Sequence, residues 1–147
     1  MPYITSRGHT PEDVELPRRL GIDGVRAWWM LNREAVPRSQ GGPDAIELHV
    51  VELAPGFKHD LHRHPNAGEI VYVLEGEGYH LQEGSEPILT TKGDLTYIPA
   101  GEWHGLHNAS DAPLVVIGIT EGATHYEDAG YEDHPDVIAA QQAAAQS

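Results

Sequence analysis

Three histidines and one glutamate occur at spacings that suit a metal site. His62 and His64 are two residues apart, so on a strand both side chains leave the same face. Glu69 follows five residues later, and His104 comes from a separate predicted strand forty residues after His64. Three imidazoles and one carboxylate can close around a divalent metal ion and leave coordination positions free. This donor set suits Fe, Mn, Ni, Cu, Co or Zn and does not decide between them.

Short strands separated by turns are the elements that must position these side chains. Runs rich in β-branched and aromatic residues predict strands over 24–31, 45–54, 69–75, 78–83, 87–91, 94–98, 104–108 and 113–120. Clusters of Gly, Pro, Asn and Asp lie between them. This pattern predicts an all-β sandwich or barrel. Residues 1–22 are predicted as irregular coil, and Pro135 followed by DVIAAQQAAA predicts a short terminal helix.

The composition excludes several classes of function. A chain of 147 residues with 39% hydrophobic residues suits one folded domain. Its net charge of −14 would repel a phosphate backbone, so nucleic acid is not an expected partner. The absence of Cys removes disulfides, thiolate ligands and thiol nucleophiles. With no apolar signal core and no membrane-length apolar run, we expect a soluble, cytoplasmic protein without a membrane partner.

The charge is unevenly distributed along the chain. Residues 1–45 contain six basic and six acidic residues, whereas residues 46–147 contain three basic and 17 acidic ones. The first segment is therefore an arginine-bearing arm without net charge, attached to a strongly acidic body. Such an arm can lie across that body or across a second subunit, and ordinary solvated charge explains the pattern equally well.

The residues of the metal site also belong to two longer motifs that resemble those of the cupins. The first, G-x5-H-x-H-x3–4-E-x6-G, is filled by Gly56, His62, His64, Glu69 and Gly76. The second, G-x5-P-x-G-x2-H-x3-N, is filled by Gly93, Pro99, Gly101, His104 and Asn108. Every fixed position is occupied, and 16 residues separate the two motifs. The resemblance covers residues 56–108 directly and, with the flanking strands, extends over about 45–120.

This resemblance implies a double-stranded β-helix, a jelly-roll barrel that is often dimeric, and so a homodimer is expected. We predict an N-terminal arm with one or two strands over 1–44, the barrel over 45–120, and an acidic C-terminal segment with a short helix over 121–147. The resemblance places one divalent metal ion per chain on His62, His64, Glu69 and His104.

The resemblance also implies a metal-dependent enzyme that acts on a small-molecule substrate. The expected lining of Val71, Val73, Leu81 and Leu106 is apolar, which favours an enolisable keto or phenolic compound. Polyketide cyclase-like, isomerase or lyase chemistry and quercetinase-like dioxygenase chemistry all remain open, with Glu69 as the candidate base. Cupin lyases of dimethylsulfoniopropionate typically carry a tyrosine two residues after this glutamate, where this chain has Val71. The alternative is a non-catalytic module that binds or senses a small molecule.

The other histidines are expected to contribute less. His59 and His80 either reach the surroundings of the metal or lie at the surface, and the surface is favoured. Four further histidines lie away from the motifs and are expected to be solvated: His9, His49, His125 and His134. Trp103, beside His104, is a candidate for the mouth of the site.

Overall fold

The structure, a computed structural model, describes residues 24–146. Its ten strands are β1 Val25–Leu31, β2 Ile46–Leu53, β3 Lys58–Arg63, β4 Gly68–Glu75, β5 Glu77–Gln82, β6 Ile88–Thr91, β7 Leu95–Ile98, β8 His104–His107, β9 Leu114–Glu121 and β10 Glu132–Asp133. A 3-10 turn covers Arg38–Gln40, and two helices, α1 Tyr126–Ala129 and α2 Pro135–Ala144, lie near the C-terminus. The coil predicted over 1–22 lies outside the described residues.

The strands form two five-stranded antiparallel sheets. The first has the order β1-β2-β9-β4-β7 and the second the order β10-β3-β8-β5-β6. Strands that are distant in sequence are neighbours in both sheets, as in a jelly roll. The predicted all-β fold is confirmed, and eight of the strands match the predicted runs to within a few residues. Among residues 24–146, no helix is long and apolar enough to span a membrane.

An apolar core fills the space beside the predicted metal residues. Along β4, the inward positions are Glu69, Val71 and Val73, and Val73 is only 2% exposed. Tyr72 between them is 37% exposed, so the expectation that Val71 and Val73 face inward is confirmed. Val73 packs in a core cluster with Leu53, Val51, Phe57, Val71, Leu106, Leu114 and Val116. Glu69 therefore lies at the end of β4 that is further from this core.

Along β2, Ile46, Leu48 and Val50 alternate with a second set, Glu47, His49, Val51 and Leu53, and the second set faces the interior although it contains the two polar residues. Val51 and Leu53 of that set pack in the core, whereas Val50 packs with Trp28 and Val115 in a second cluster. The outer face of this sheet is thus also apolar. Because both faces of β2 carry apolar residues, alternation alone does not tell which face is inside.

Asn108, the last residue of the second motif, is a structural residue. Its side chain is fully buried, and Nδ2 donates to the carbonyl oxygens of Leu53 (3.0 Å), Ala54 (3.1 Å) and Ala112 (2.8 Å). Three carbonyl groups at the end of β2 and before β9 are satisfied by one amide. Asn108 therefore joins the turns that close the core end of the barrel.

The predicted terminal helix is confirmed as α2, with Pro135 in its first turn. Strands β3 and β10 and helix α1 lay outside the predicted runs. The sequence of β3, KHDLHR, is polar and lacks the β-branched residues that marked the other strands. The homodimer and the role of the N-terminal arm stay predictions.

Candidate metal centre

Four side chains meet inside the barrel. Three belong to strands, and the fourth belongs to the residue that directly follows β3. His62 on β3 is paired with His104 on β8 in the second sheet, and His64 follows β3 directly. Glu69 on β4 approaches them from the first sheet. One donor atom from each of the four residues lies within 4.8 Å of the others. The fold therefore brings together the four residues that the sequence predicted as ligands.

Each of the three imidazoles is fixed by a hydrogen bond to a backbone carbonyl. The Nδ1 atoms of His62, His64 and His104 lie 2.8, 2.7 and 2.9 Å from the carbonyl oxygens of Asp60, Gly130 and Glu102. A carbonyl oxygen can only accept, so each Nδ1 carries the hydrogen and Nε2 is left to face the cluster. Metal-binding histidines are held in this way in other proteins. The donor set and its outer hydrogen bonds thus fit a divalent cation.

Glu69 and His104 form an ion pair within the cluster. Oε2 of Glu69 lies 2.9 Å from Nε2 of His104 and 3.8 Å from Nε2 of His64. Burial alone would raise the pKa of Glu69, but the hydrogen bond and the charge of His104 outweigh it and hold that pKa well below its usual range. Burial would likewise lower the pKa of His104, and the Glu69 carboxylate raises it instead. In the metal-free chain, the proton that this pairing favours on His104 lies between the two predicted ligands, where a cation would otherwise bind.

His59 and His80 line the surroundings of the cluster, so the surface placement favoured for them is wrong. A register shift in β3 between His59 and His62 turns both side chains inward, and their rings stack with centroids 4.0 Å apart. Burial lowers the pKa of His59 to about 4. His80 is 8% exposed, and its pKa is lowered by burial and by the charge of His104. On β5, His80 faces inward. Leu81, which was expected to line the interior, therefore lies on the other face of the strand.

Tyr131 is a residue of the site that the sequence did not reveal. Its ring stacks on His62, with centroids 4.9 Å apart and an angle of 16° between the planes. Its hydroxyl donates to Oδ1 of Asp133 (3.1 Å) and lies 3.4 Å from Nε2 of His59. Burial and the Asp133 carboxylate raise its pKa. No motif spacing links residue 131 to the ligands, so only the fold reveals this contact.

His49 was expected to be solvated and is instead directed into the barrel. Its ring lies over Gly118, where a Cβ atom would come within 2.3 Å of Nε2. Nδ1 of His49 is 3.3 Å from Oε1 of Glu47, a carboxylate that is 1% exposed. Nε1 of Trp29 donates to the same oxygen at 2.9 Å. Glu47, His49 and Trp29 thus form a buried polar group beside the interior.

His125 and His134 are also buried rather than solvated, because their Nδ1 atoms cap α1 and α2. Trp103 lies between the guanidinium of Arg63, 4.5 Å from its ring, and the ring of His134, 4.9 Å away. It therefore packs against the C-terminal part of the chain. His9 lies outside the described residues.

Comparison with known proteins places this geometry in a family. The family model described as "Cupin domain" matches residues 49–120. The oxalate-binding protein of Thermotoga maritima is 30% identical over 116 residues, which cover 79% of this chain and 90% of that protein. The chain belongs to the cupin family. The resemblance carried by the two motifs is thereby confirmed.

Other cupins share parts of this chain. Dimethylsulfoniopropionate lyase DddQ of Ruegeria pomeroyi is 33% identical over 86 residues, or 56% of this chain, and these span 42% of the lyase. The crystal structure of a cupin-like protein from Thermotoga maritima has 27% identity and a TM-score of 0.61, covering 75% of each chain. The contact made by Tyr131 lies beyond the matched residues 49–120.

Proposed function

We propose that this cupin is a metal-dependent enzyme that activates a small enolisable keto or phenolic compound at the centre formed by His62, His64, Glu69 and His104. One observation supports catalysis above the others. His59, which is not needed as a ligand, is half-buried with its ring stacked on His62, and its pKa, lowered to about 4, leaves the imidazole neutral beside the centre.

In the proposed reaction, a bound cation activates the substrate and the surrounding side chains transfer the proton. A divalent ion bound at the centre supplies Lewis acidity, which polarises a ketone, enol or phenol oxygen and acidifies a neighbouring C–H or O–H. His59 is placed to accept the released proton, with the Tyr131 hydroxyl 3.4 Å from its Nε2. Glu69, predicted as the base, is the second candidate acceptor. The hydrogen bond from His104 keeps it ionised.

The interior offers two surfaces to such a substrate. Val71 follows Glu69 on the inward face of β4 and joins the apolar core. On the opposite sheet, His59 and His80 present neutral imidazoles, because burial lowers the pKa of both. An apolar wall and a polar wall suit a flat molecule with oxygen atoms along one edge. This arrangement supports a keto or phenolic compound over a sugar.

A second candidate function is a metal-dependent binding or sensing module without catalysis. The similarity to the oxalate-binding protein of Thermotoga maritima, which extends over 90% of that protein, favours it. In such a module the same centre would hold a small oxygen ligand, and His59 would serve only as a hydrogen-bond partner. The two functions therefore differ in turnover and not in binding.

The deciding experiment combines binding and turnover in metal-loaded protein. Enolisable diketones, catechols and flavonols are tested for binding by calorimetry and for conversion by absorbance and oxygen consumption. His59→Phe, which keeps all four ligands, is compared with the wild type and with His107→Phe on the outward side of β8. We expect binding in all three proteins and a loss of turnover of about 100-fold or more in His59→Phe alone. Binding without turnover in the wild type would establish the module instead, and oxygen consumption separates a dioxygenase from a cyclase or isomerase.

A further inference from the structure

Residues 130–133, which follow the residues 49–120 matched by the family model, contact two of the four predicted ligands. The carbonyl oxygen of Gly130 lies 2.7 Å from Nδ1 of His64. The ring of Tyr131 covers His62, and β10 pairs Asp133 with His62 in the register of the second sheet. These four residues are called the clamp below.

The clamp is attached to the barrel on both sides of Gly130. Before it, the backbone N–H of Asn66 donates to the carbonyl of Ala129 at 3.1 Å. After it, Nε of Arg63 donates to Oε2 of Glu132 at 2.7 Å. The N–H of His134 donates to the carbonyl of Leu61 at 3.0 Å. None of these bonds involves a ligand side chain, so the clamp is held in place independently of a metal ion.

His64 depends on the clamp in a way that the other two histidines do not. His62 and His104 are held by carbonyls only two residues away, at Asp60 and Glu102. Each of those two hydrogen bonds joins residues of the same short stretch of chain and needs no distant segment. The carbonyl that holds His64 comes from 66 residues further along the chain. Without it, the hydrogen could sit on either ring nitrogen and the ring could rotate, because nothing else fixes Nδ1 among the described contacts.

We propose that residues 130–133 are a positioning clamp that fixes the tautomer and orientation of His64 through the Gly130 carbonyl, holds the ring of His62 under Tyr131, and thereby sets the affinity of this cupin for its metal ion. The inference rests on the metal centre and not on the proposed enzymatic activity. Outer hydrogen-bond partners of metal-binding histidines typically change metal affinity by about 10–100-fold when they are lost. The affinity of this barrel would then depend on a segment that lies outside the family domain.

Gly130→Ala in the full chain tests the clamp. Gly130 has φ +74°, and an added Cβ would lie 3.1 Å from Cδ of Pro65, so the substitution displaces its carbonyl. Gly24→Ala is the matched control, with φ +88° and a Cβ 3.1 Å from Cδ2 of Phe57, away from the ligands. Two quantities are measured: the ¹⁵N shifts of the His64 ring in metal-free protein, and the Co²⁺ dissociation constant by chelator competition.

We expect the wild type and Gly24→Ala to carry the hydrogen on Nδ1 of His64 and to bind Co²⁺ equally within about twofold. Gly130→Ala should show mixed tautomers and an affinity at least about tenfold weaker. An unchanged affinity in Gly130→Ala, or an equal loss in Gly24→Ala, would overturn the proposal. Neither the ¹⁵N shifts nor the Co²⁺ dissociation constant depends on turnover, so the outcome is independent of whether the protein is an enzyme.

Tyr131→Ala keeps the proposal testable if Gly130→Ala does not fold. Tyr131 is half exposed, so its removal leaves the core intact, and Tyr97→Ala removes an equally exposed tyrosine from β7 as a control. We expect Co²⁺ affinity to fall in Tyr131→Ala, to recover in Tyr131→Phe, which keeps the ring over His62, and to stay unchanged in Tyr97→Ala. Wild-type affinity in Tyr131→Ala would contradict a role for the clamp at His62.

Discussion

The rings of His59 and His62 stack 4.0 Å apart, although only one of the two is a predicted metal ligand. Their contact follows from the register shift in β3, which turns two residues three positions apart to the same side. Burial, and then the neighbouring His59, lower the pKa of His62 well below its ordinary value. The imidazole of His62 is therefore neutral at physiological pH, as a ligand must be.

Removing one ligand should abolish tight metal binding without unfolding the barrel. His104→Ala leaves three donors and is expected to weaken Co²⁺ binding by about 100-fold or more, since loss of an outer partner alone costs about 10–100-fold. His107→Ala on the same strand is the control, because its side chain lies on the other face of β8. The dissociation constants are measured by chelator competition, and an equal affinity in the two variants would exclude His104 as a ligand.

Metal binding should stabilise the folded protein. At a free metal concentration 100 times the dissociation constant, the free energy of unfolding is expected to rise by about 2.7 kcal/mol, and a chelator should reverse the gain. Urea unfolding with and without metal measures the difference. In His104→Ala, the same metal concentration should give no comparable gain, and a gain of wild-type size there would indicate binding elsewhere on the acidic chain.

The metal-free protein should lose stability as the pH falls from 6.5 towards 4. The pKa values of His59, His62 and His80 are lowered in the folded chain, that of His59 to about 4. Below pH 6.5 the unfolded chain therefore binds more protons than the folded one, which favours unfolding. His104, with its raised pKa, contributes stability that is fully present below pH 6.5 and is lost as the pH rises above it.

Urea unfolding at pH 7.0, 6.0 and 5.0 measures this dependence. Each proton bound in excess by the unfolded chain changes the free energy of unfolding by up to about 1.4 kcal/mol per pH unit. His59→Phe removes one titrating group, so its slope should be shallower than that of the wild type. A stability that is constant over this range, or the same slope in both proteins, would show that His59 is not buried in its neutral form.

Asn108→Ala should destabilise the fold without changing the ligands. The variant removes the amide that donates to the carbonyls of Leu53, Ala54 and Ala112, of which the Leu53 carbonyl is buried, and this is expected to lower the free energy of unfolding by about 3 kcal/mol. Ser110→Ala removes a part-exposed hydroxyl that lies 2.8 Å from Oδ1 of Asn108 and 3.0 Å from the carbonyl of Ala112, and should cost about 1 kcal/mol. Both are measured by urea unfolding of metal-free protein, and a neutral Asn108→Ala would show that water replaces the amide.

The fold class and the cluster of His62, His64, Glu69 and His104 could be predicted from the sequence, because spacing within two short motifs encodes them. The prediction that Val71 and Val73 of β4 face inward is also correct. In β2 the period-two alternation left the faces undecided, because a second apolar cluster around Trp28 makes the outer face resemble a core. The burial of Glu47 on the interior side had no local signal.

The surroundings of the ligands depend on features that no local pattern carries. His59 is turned inward by a bulge in β3, and a bulge in a polar strand leaves no mark in the periodicity. Gly130 and Tyr131 reach the site through the pairing of β10 with β3, a contact between residues about 70 positions apart. A two-residue strand contains too few side chains to show a pattern, so its pairing with a distant strand cannot be predicted from a single sequence.

The most direct test of the metal centre is the metal content of the full chain. Protein purified without chelator is analysed by elemental mass spectrometry, before and after loading with Fe, Mn, Ni, Cu, Co or Zn and removal of the excess. The geometry of His62, His64, Glu69 and His104 predicts one equivalent of a divalent metal per chain, and none in His104→Ala. A wild-type protein that retains no metal under any of these conditions would contradict the metal centre.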